Sequence, residues 1–248
     1  MVLQDFYTQG EYLQKNPDWH VESSPWKTQG IVQMMARNTI RPKTVCEIGC
    51  GAGEILKLLQ QQLDSECSFW GYEIAPQAVE LAKSRENTKL RFKLGDVRDE
   101  KDSYFDLILI IDVLEHFEDC FTFLRDIKPM SEYKILLLPL DINVVSVLRG
   151  QLLSYHFATG HLHYFTKEIA LQLLKENGYE VLDYFYTAQP NIGIAWDEIR
   201  KNPLKLPKRL LGFFKRSLVR MPRELFFSIN QDLAVRIFGE RKLVVLVK

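Results

Sequence analysis

Apolar positions along most of this chain change their spacing in a repeating order. Thr44 to Ile48 is a short apolar run, and residues 53–64 then set Ile55, Leu56, Leu59 and Leu63 at helical spacing. "CSFWGYEI" predicts a second strand, "PQAVELAKSR" a helix and "KLRFKLGD" a third strand. "FDLILII" and "YKILLLPL" are unbroken apolar runs, the pattern of strands covered on both faces. Between them "EDCFTFLRDI" turns Cys120, Phe121, Leu124 and Ile127 inward as a helix. Thr166 caps a helix running through Leu174 that stops at Asn177-Gly178. "YEVLDYFYT" and "KLVVLVK" predict two further strands. Ahead of all these, residues 24–40 predict a helix with Ser24 as N-cap and Pro25 in its first position. Such alternation predicts an α/β fold: a Rossmann-like, doubly wound, mostly parallel sheet of seven strands with helices on both faces.

Two intervals break the alternation. Residues 141–165 are expected to be a loop. About fifty residues between "YEVLDYFYT" and "KLVVLVK" carry Pro190, Pro203, Pro207 and Pro222, too long for an ordinary connection. They predict a helical insertion over 190–238. The chain thus divides into an N-terminal helical segment 1–40, a core of 41–189 plus 239–248, and the insertion.

Composition narrows the function classes. Apolar residues make up 46% of the 248, enough for a sizeable core. Lys and Arg balance Asp and Glu at 32 each, which gives no general reason to expect nucleic acid. The balance is uneven locally. Residues 200–223 hold nine Lys or Arg and no acid, leaving the rest at a net −9. On a helical wheel Leu210, Leu211, Phe213, Phe214, Leu218 and Met221 oppose Lys208, Arg209, Lys215, Arg216, Arg220 and Arg223. A basic amphipathic stretch of this kind suits an anionic membrane surface or a phosphate-bearing acceptor. Cys46, Cys50, Cys67 and Cys120 form no C-x-x-C pair, so neither a disulfide framework nor a zinc site is expected. With no signal-peptide pattern and no apolar run of spanning length, the expected location is the cytoplasm.

The chemistry concentrates where the first strand ends, in "VCEIGCGAG". Glycines there let backbone approach a ligand and take positive φ, and the following helix start offers free N–H groups. The dinucleotide pattern G-x-G-x-x-G is not completed: counted from Gly49 the sixth position is Glu54, and from Gly51 it is Leu56. What stands is E-x-G-x-G-x-G, with Glu47 ahead of Gly49, Gly51 and Gly53. An acid there suits a ligand bearing a cation, such as an amino-acid ammonium.

This pattern resembles the class I S-adenosylmethionine-dependent methyltransferases, in their small-molecule branch that includes ubiquinone-biosynthesis-like O-methyltransferases. Glu73 ending the second strand, Asp96 in "LGDV" and the segment "FDLILIIDVLEHFED" support the resemblance, as do the last two strands with an insertion between them. It covers roughly residues 40–187 and the final strand, and implies that this strand runs antiparallel. It implies S-adenosyl-L-methionine as cofactor and S-adenosyl-L-homocysteine as product. Glu47 would reach the donor's ammonium, directly or through water, and Gly49, Gly51 and Gly53 would pass beneath its methionine part and ribose. Glu73 would accept from both ribose hydroxyls. Ile74 would pack on one adenine face, Asp96 accept from the adenine amine, and Val97 lie beside that ring. Asp112 would face the methionine side.

The reaction implied is in-line methyl transfer to a small-molecule acceptor, most naturally a hydroxyl oxygen. Nitrogen of a small amine or guanidine is the nearest alternative, and a non-catalytic module that binds the donor is the other. A general base is needed where the acceptor proton has a high pKa. His161, first in "HLHYFT", is the first choice, and His116 in "DVLEH" the second. His163 alternates with His161 and is expected to point away. Glu115, His116 and Glu118 are similar to the Glu–His cluster of magnesium-dependent relatives, but neighbours in sequence need not converge, and no metal is expected. The aromatic N-terminal segment, with Tyr12, Trp19, His20 and Trp26, is a candidate lid. The acceptor is expected to be anionic or lipid-linked, with 200–223 as the surface for peripheral membrane contact. Nucleic acid is not expected, since "IDVLEH" stands where a proline-rich turn would.

Overall fold

The computed structural model describes Tyr7, Asn16, Trp19 and residues 21–100, 103–187, 223–239 and 241–248. The basic stretch 200–223, apart from Arg223, lies outside these residues, as do Tyr12 and His20 of the expected lid.

Seven strands form one sheet: β1 (Thr44–Ile48), β2 (Ser68–Glu73), β3 (Leu90–Leu94), β4 (Phe105–Ile111), β5 (Ser131–Pro139), β6 (Val181–Thr187) and β7 (Lys242–Val247). Their order is β3-β2-β1-β4-β5-β7-β6. The first five pair in parallel, while β7 is antiparallel to both β5 and β6. Strand order reverses between β1 and β4, and ligands of open α/β sheets collect beyond the strand ends at such a point. Register there is fixed at the opposite end. Thr44 Oγ1 accepts from the Asp106 N–H at 2.8 Å, and Asp106 Oδ2 accepts from the Lys43 and Thr44 N–H groups at 2.7 and 3.0 Å. The two strands therefore run level, Val45 beside Leu107 and Ile48 beside Ile110.

One face of the sheet carries α1 (Ser24–Arg37), α2 (Glu54–Gln60) and α3 (Pro76–Lys83). Trp26, Ile31, Met34 and Met35 of α1 recur at helical spacing and join the core on this face, where α1 packs on β5, β7, β6 and α2. The other face carries α4 (Cys120–Ile127), α7 (Lys167–Glu176) and α8 (Gln231–Phe238), whose Phe123, Leu124, Leu174 and Val235 join the second core. Beyond β5 lie α5 (Val144–Leu148) and α6 (Gln151–Thr159). All four cysteines are buried free thiols.

The structure corrects three local expectations. Ser24 opens α1 rather than capping it: Ser23 is the N-cap, preceded by a 3₁₀ turn, and the helix ends at Arg37 rather than residue 40. The expected loop 141–165 contains α5 and α6. Asn143 and Ser146 form a reciprocal capping box that starts α5, and Gly150, at φ 62°, separates the two helices. These helices lacked a buried stripe to reveal them, because Val147, Leu148, Leu153 and Phe157 are exposed. In α4, Phe121 faces solvent and Phe123 takes the inward place. Of the expected insertion, residues 223–229 and α8 are described, and both are helical.

The end of α1 is tied to the sheet edge. Arg37 donates from Nε and Nη2 to Asp183 of β6, both at 2.9 Å, and Asn38 Nδ2 adds a third bond at 3.0 Å. With that end fixed, the first turn of α1 reaches the switch point, and this is what brings Lys27 to the site.

The three glycines after β1 all have positive φ, but for different reasons. A Cβ on Gly53 (φ 78°) would lie 2.4 Å from the Phe92 ring, and one on Gly49 (φ 68°) 2.6 Å from Val113. On Gly51 (φ 52°) it would meet only Trp19, at 3.9 Å. Gly49 and Gly53 are thus packing glycines, and Gly51 is the one beside open space. Gly53→Ala combines left-handed strain with a clash in the core, and is expected to cost at least about 2 kcal/mol of stability in denaturant unfolding. Gly51→Ala should cost about 1 kcal/mol, the backbone strain alone.

Candidate functional site

A cavity of about 1330 Å³ opens beyond the carboxyl ends of β1, β2, β4 and β5. That exceeds the usual range for one drug-sized ligand, roughly 300–1,000 Å³. Its wall includes Glu47, Gly49, Gly51, Glu73, Ile74, Asp96, Val97, Asp112, His116 and His161. Of the expected site residues only Gly53 stands behind this wall.

Four carboxylates withdrawn from water lie here, and they are compensated in different degrees. Glu73 is held by backbone: Oε2 accepts from the Gly51 N–H and Oε1 from the Ala75 N–H, both at 2.9 Å. Burial raises its pKa, and these bonds oppose the rise. Asp112 is held by lysines, with Oδ2 3.0 Å from Lys27 Nζ and Oδ1 2.6 Å from Lys242 Nζ. Burial alone would raise its pKa, but Lys242 and Lys27 overcome burial and hold it well below the usual range. Its backbone sits at φ 54°, uncommon outside glycine.

Glu47 is 1% exposed and its Oε2 has no hydrogen-bond partner. Burial pushes its pKa from 4.5 to about 8, with Lys27 opposing and Glu73 adding to the rise. Glu115 is fully buried and neither carboxylate oxygen has a partner. Burial, then repulsion from Asp112, pushes it to about 8 as well, against the pull of Lys242. A buried carboxylate left without a partner is costly unless it is protonated or meets a cation.

Two histidines face Glu115. His116 Nε2 and His161 Nε2 each lie 4.0 Å from Glu115 Oε1. Both rings are oriented from behind. His161 Nδ1 is 2.7 Å from Asp141 Oδ2, at the end of β5, and His116 Nδ1–H donates to the Gly160 carbonyl at 3.0 Å. Tyr7 adds its hydroxyl 3.0 Å from the same His116 Nδ1. Burial lowers the His116 pKa to about 4, which leaves it neutral and a weak base. His163 turns away, donating from Nε2 to the Phe117 carbonyl at 2.8 Å. His156 lies in α6 and bonds the His161 carbonyl at 3.1 Å.

Among the described residues, Glu115, His116 and His161 form a group whose ligand atoms lie within 4.8 Å of one another. Adjacent positions 115 and 116 do converge, because a 3₁₀ turn over Leu114–His116 follows β4. Glu118 is not part of the group. Both imidazoles point their hydrogen-bonded Nδ1 outward and leave Nε2 toward the carboxylate, the arrangement outer partners impose on metal-binding histidines.

Asp96 is engaged from within the chain. Arg98 Nη2 lies 2.6 Å and Nε 3.0 Å from its Oδ2, and the Arg98 N–H donates to Oδ1 at 2.9 Å. These contacts overcome burial and lower its pKa. Any further donor must use the lone pairs that remain. Val97 is buried, while Ile74 is partly exposed on the wall.

Sequence reasoning missed Lys27, Lys242 and Asp141. Asp141 follows directly on the apolar run "ILLLPL", so its place at the carboxyl end of a strand could have marked it. The lysines carried no such signal.

Glu47 and Glu115 have pKa values above those of the unfolded chain. The stabilisation that comes from keeping them neutral is complete below 4.5 and is lost as pH rises toward about 8. Thermal unfolding of the ligand-free protein should therefore move to lower temperature between pH 5 and 8, and Glu47→Gln should flatten that fall.

Residues 26–184 match the methyltransferase-domain family. The sequence is 30% identical over 93 residues to ajmaline N-methyltransferase of Rauvolfia serpentina and 31% identical over 93 residues to norajmaline N-methyltransferase of the same organism. Each match covers 35% of this chain and 31% of the relative, so the chain spans about a third of the length of these relatives. Among solved structures, the plantazolicin methyltransferase BpumL in complex with SAH aligns with a TM-score of 0.62 at 16% identity, over all of this chain and 94% of that one. The magnesium protoporphyrin IX methyltransferase of Synechocystis PCC 6803 with bound SAH aligns with a TM-score of 0.57 at 17% identity, over 75% of this chain and 92% of that one. The strand order with its antiparallel β7 and the family match over more than half the chain agree: this protein belongs to the methyltransferase-domain family, on the Rossmann-like fold of S-adenosylmethionine-dependent methyltransferases.

Proposed function

We propose that this chain transfers a methyl group from S-adenosylmethionine to a hydroxyl oxygen of a small molecule, with His161 as general base. The observation that carries the oxygen acceptor is the Asp141–His161 pair. A carboxylate 2.7 Å from Nδ1 fixes the tautomer, orients the ring and leaves Nε2 as the proton acceptor on the cavity wall. His116, held neutral with a pKa near 4, is the poorer base and loses its place as second choice.

The donor fits the residues present. Glu47 offers an unpartnered buried carboxylate oxygen to its ammonium. Gly51 leaves space where a Cβ would intrude, and Glu73 retains lone pairs for two hydroxyls. When bound, S-adenosylmethionine supplies an electrophilic methyl on a sulfonium and leaves as a neutral thioether. The chain's own part is to exclude water, align the acceptor and take its proton at His161 Nε2. In this reading the core of 41–189 with 239–248 carries the donor turn, and 1–40, 141–165 and 190–238 contribute to the acceptor side.

A specific observation favours a second reading of the same wall. The converging Glu115, His116 and His161, with both Glu115 oxygens unpartnered, suit a divalent cation bound by mixed nitrogen and oxygen ligands. Such an ion, when bound, would lower the pKa of a coordinated hydroxyl. His161 would then be a ligand and not a base.

Donor consumption with a pool of hydroxyl and amine acceptors tests these readings together. His161→Asn should reduce turnover about 10²-fold or more while S-adenosylhomocysteine affinity stays within twofold. Turnover indifferent to EDTA keeps the base reading; turnover lost in EDTA and restored by a divalent ion moves His161 to the ligand role. Product only from amines would place this chain with the N-methyltransferases it resembles. Donor binding without turnover would make it a binding module.

Arg149, Arg223, Arg241 and Lys242 also line the cavity, which supports an acceptor carrying an anionic group. The nine basic residues of 200–223 extend the same charge in sequence, and they support contact with an anionic membrane. Among the described residues no helix is long and apolar enough to cross a membrane. Flotation with phosphatidylglycerol vesicles should bring the protein to the lipid fraction at low salt and release it at high salt; no flotation removes the membrane proposal.

A further inference from the structure

The proposed donor ends in an amino acid, which carries a carboxylate one carbon from its ammonium. Glu47 provides for the cation alone. On the wall beside it two lysines share the single carboxylate of Asp112. Among these three side chains one positive charge is uncompensated. Lys242 is 30% exposed and has water to solvate it, whereas Lys27 is 13% exposed and turned to the same cavity as Glu47.

Lys27 acts on Glu47 through space, yet no hydrogen bond joins them, and Glu47 Oε2 stays unpartnered. An ionised Glu47 would draw Lys27 into a pair. Asp112 prevents it by holding Lys27 Nζ at 3.0 Å, and is itself fixed by Lys242 at 2.6 Å. The result is an acid and a base side by side, kept apart, on one wall.

We infer that Lys27 is the seat of the donor's carboxylate, and that Asp112 is a positioning residue keeping Lys27 from collapsing onto Glu47. This rests on the donor reading proposed above. The zwitterionic end completes an alternating series: Glu47, ammonium, carboxylate, Lys27, Asp112, Lys242. Each charge then has an opposite neighbour, and Glu47 ionises as the ligand arrives. The donor's amino acid would thereby be read by α1, an element outside the glycine turn, and Lys27 would favour donor analogues that keep the carboxylate.

The test is calorimetric titration with S-adenosylhomocysteine and with its decarboxylated analogue, 5′-S-(3-aminopropyl)thioadenosine, which keeps the ammonium. The unaltered protein should prefer S-adenosylhomocysteine by about tenfold or more, the range expected for one charge-assisted contact. Lys27→Met should bring that preference to within about twofold, and Lys27→Arg should restore most of it. Lys242→Met should lower the preference by less than Lys27→Met does. Equal losses for both ligands in Lys27→Met, or a preference that survives it, would overturn the assignment, as would the same collapse in Lys242→Met. If the unaltered protein binds neither compound, the donor reading itself fails.

Discussion

Glu47, Glu73, Asp112 and Glu115 are all withdrawn from water at the carboxyl end of one parallel sheet, and compensating their charge is the constraint to which the rest of the molecule answers. The compensation differs at each. Backbone N–H groups from the turns after β1 and β2 serve Glu73, which is why those turns must bend as they do. Lysines from two distant parts of the chain serve Asp112, and so α1 and β7 are drawn to the switch point. Glu47 Oε2 and both oxygens of Glu115 have no hydrogen-bond partner, and burial outweighs the pull of the nearby lysines and holds both groups neutral. These two mark where the protein is incomplete without a ligand. One lies beside the glycine turn and the other between two imidazoles, and in the proposed reading they stand in the donor and acceptor parts of the cavity.

The same division accounts for how an ordinary fold supports a selective site. Nothing in the sheet itself contacts the reacting region except strand ends. Asp141, His161 and His116 come from three connections, and each imidazole is aimed by a group behind it. Orientation therefore depends on the short helices α5 and α6, which carry no deep core of their own and expose Leu148, Leu153 and Phe157.

The sheet was legible in the sequence because it rests on long apolar runs: "FDLILII" and "ILLLPL" can only be strands buried on both faces, and their order followed from the helices between them. The glycine turn and Glu47 were legible from spacing, and Glu73 and Asp96 from the family resemblance. Local sequence could not reveal what those acids touch. Asp96 is engaged by Arg98 two residues away, and Asp112 by residues 85 positions before and 130 after it, contacts that exist only once β4, α1 and β7 are assembled. Gly49, Gly51 and Gly53 look equivalent in a motif and are not, since side chains of Val113 and Phe92 decide which of them can bear a methyl group. Helices α5 and α6 escaped because their apolar residues face outward, so no buried stripe sets the period.

Strand β7 lies between β5 and β6, pairing with residues more than a hundred positions earlier on one side. Until it inserts, β6 has no neighbour in the sheet and β5 presents an open edge whose second half, Ile135 to Pro139, is apolar. Loop closure over such a span is slow. Assembly of this molecule is therefore expected to pass through a five-stranded intermediate with a sticky border, in which Asp112 still lacks one of its lysines. The final insertion closes the sheet and brings Lys242 onto Asp112 together.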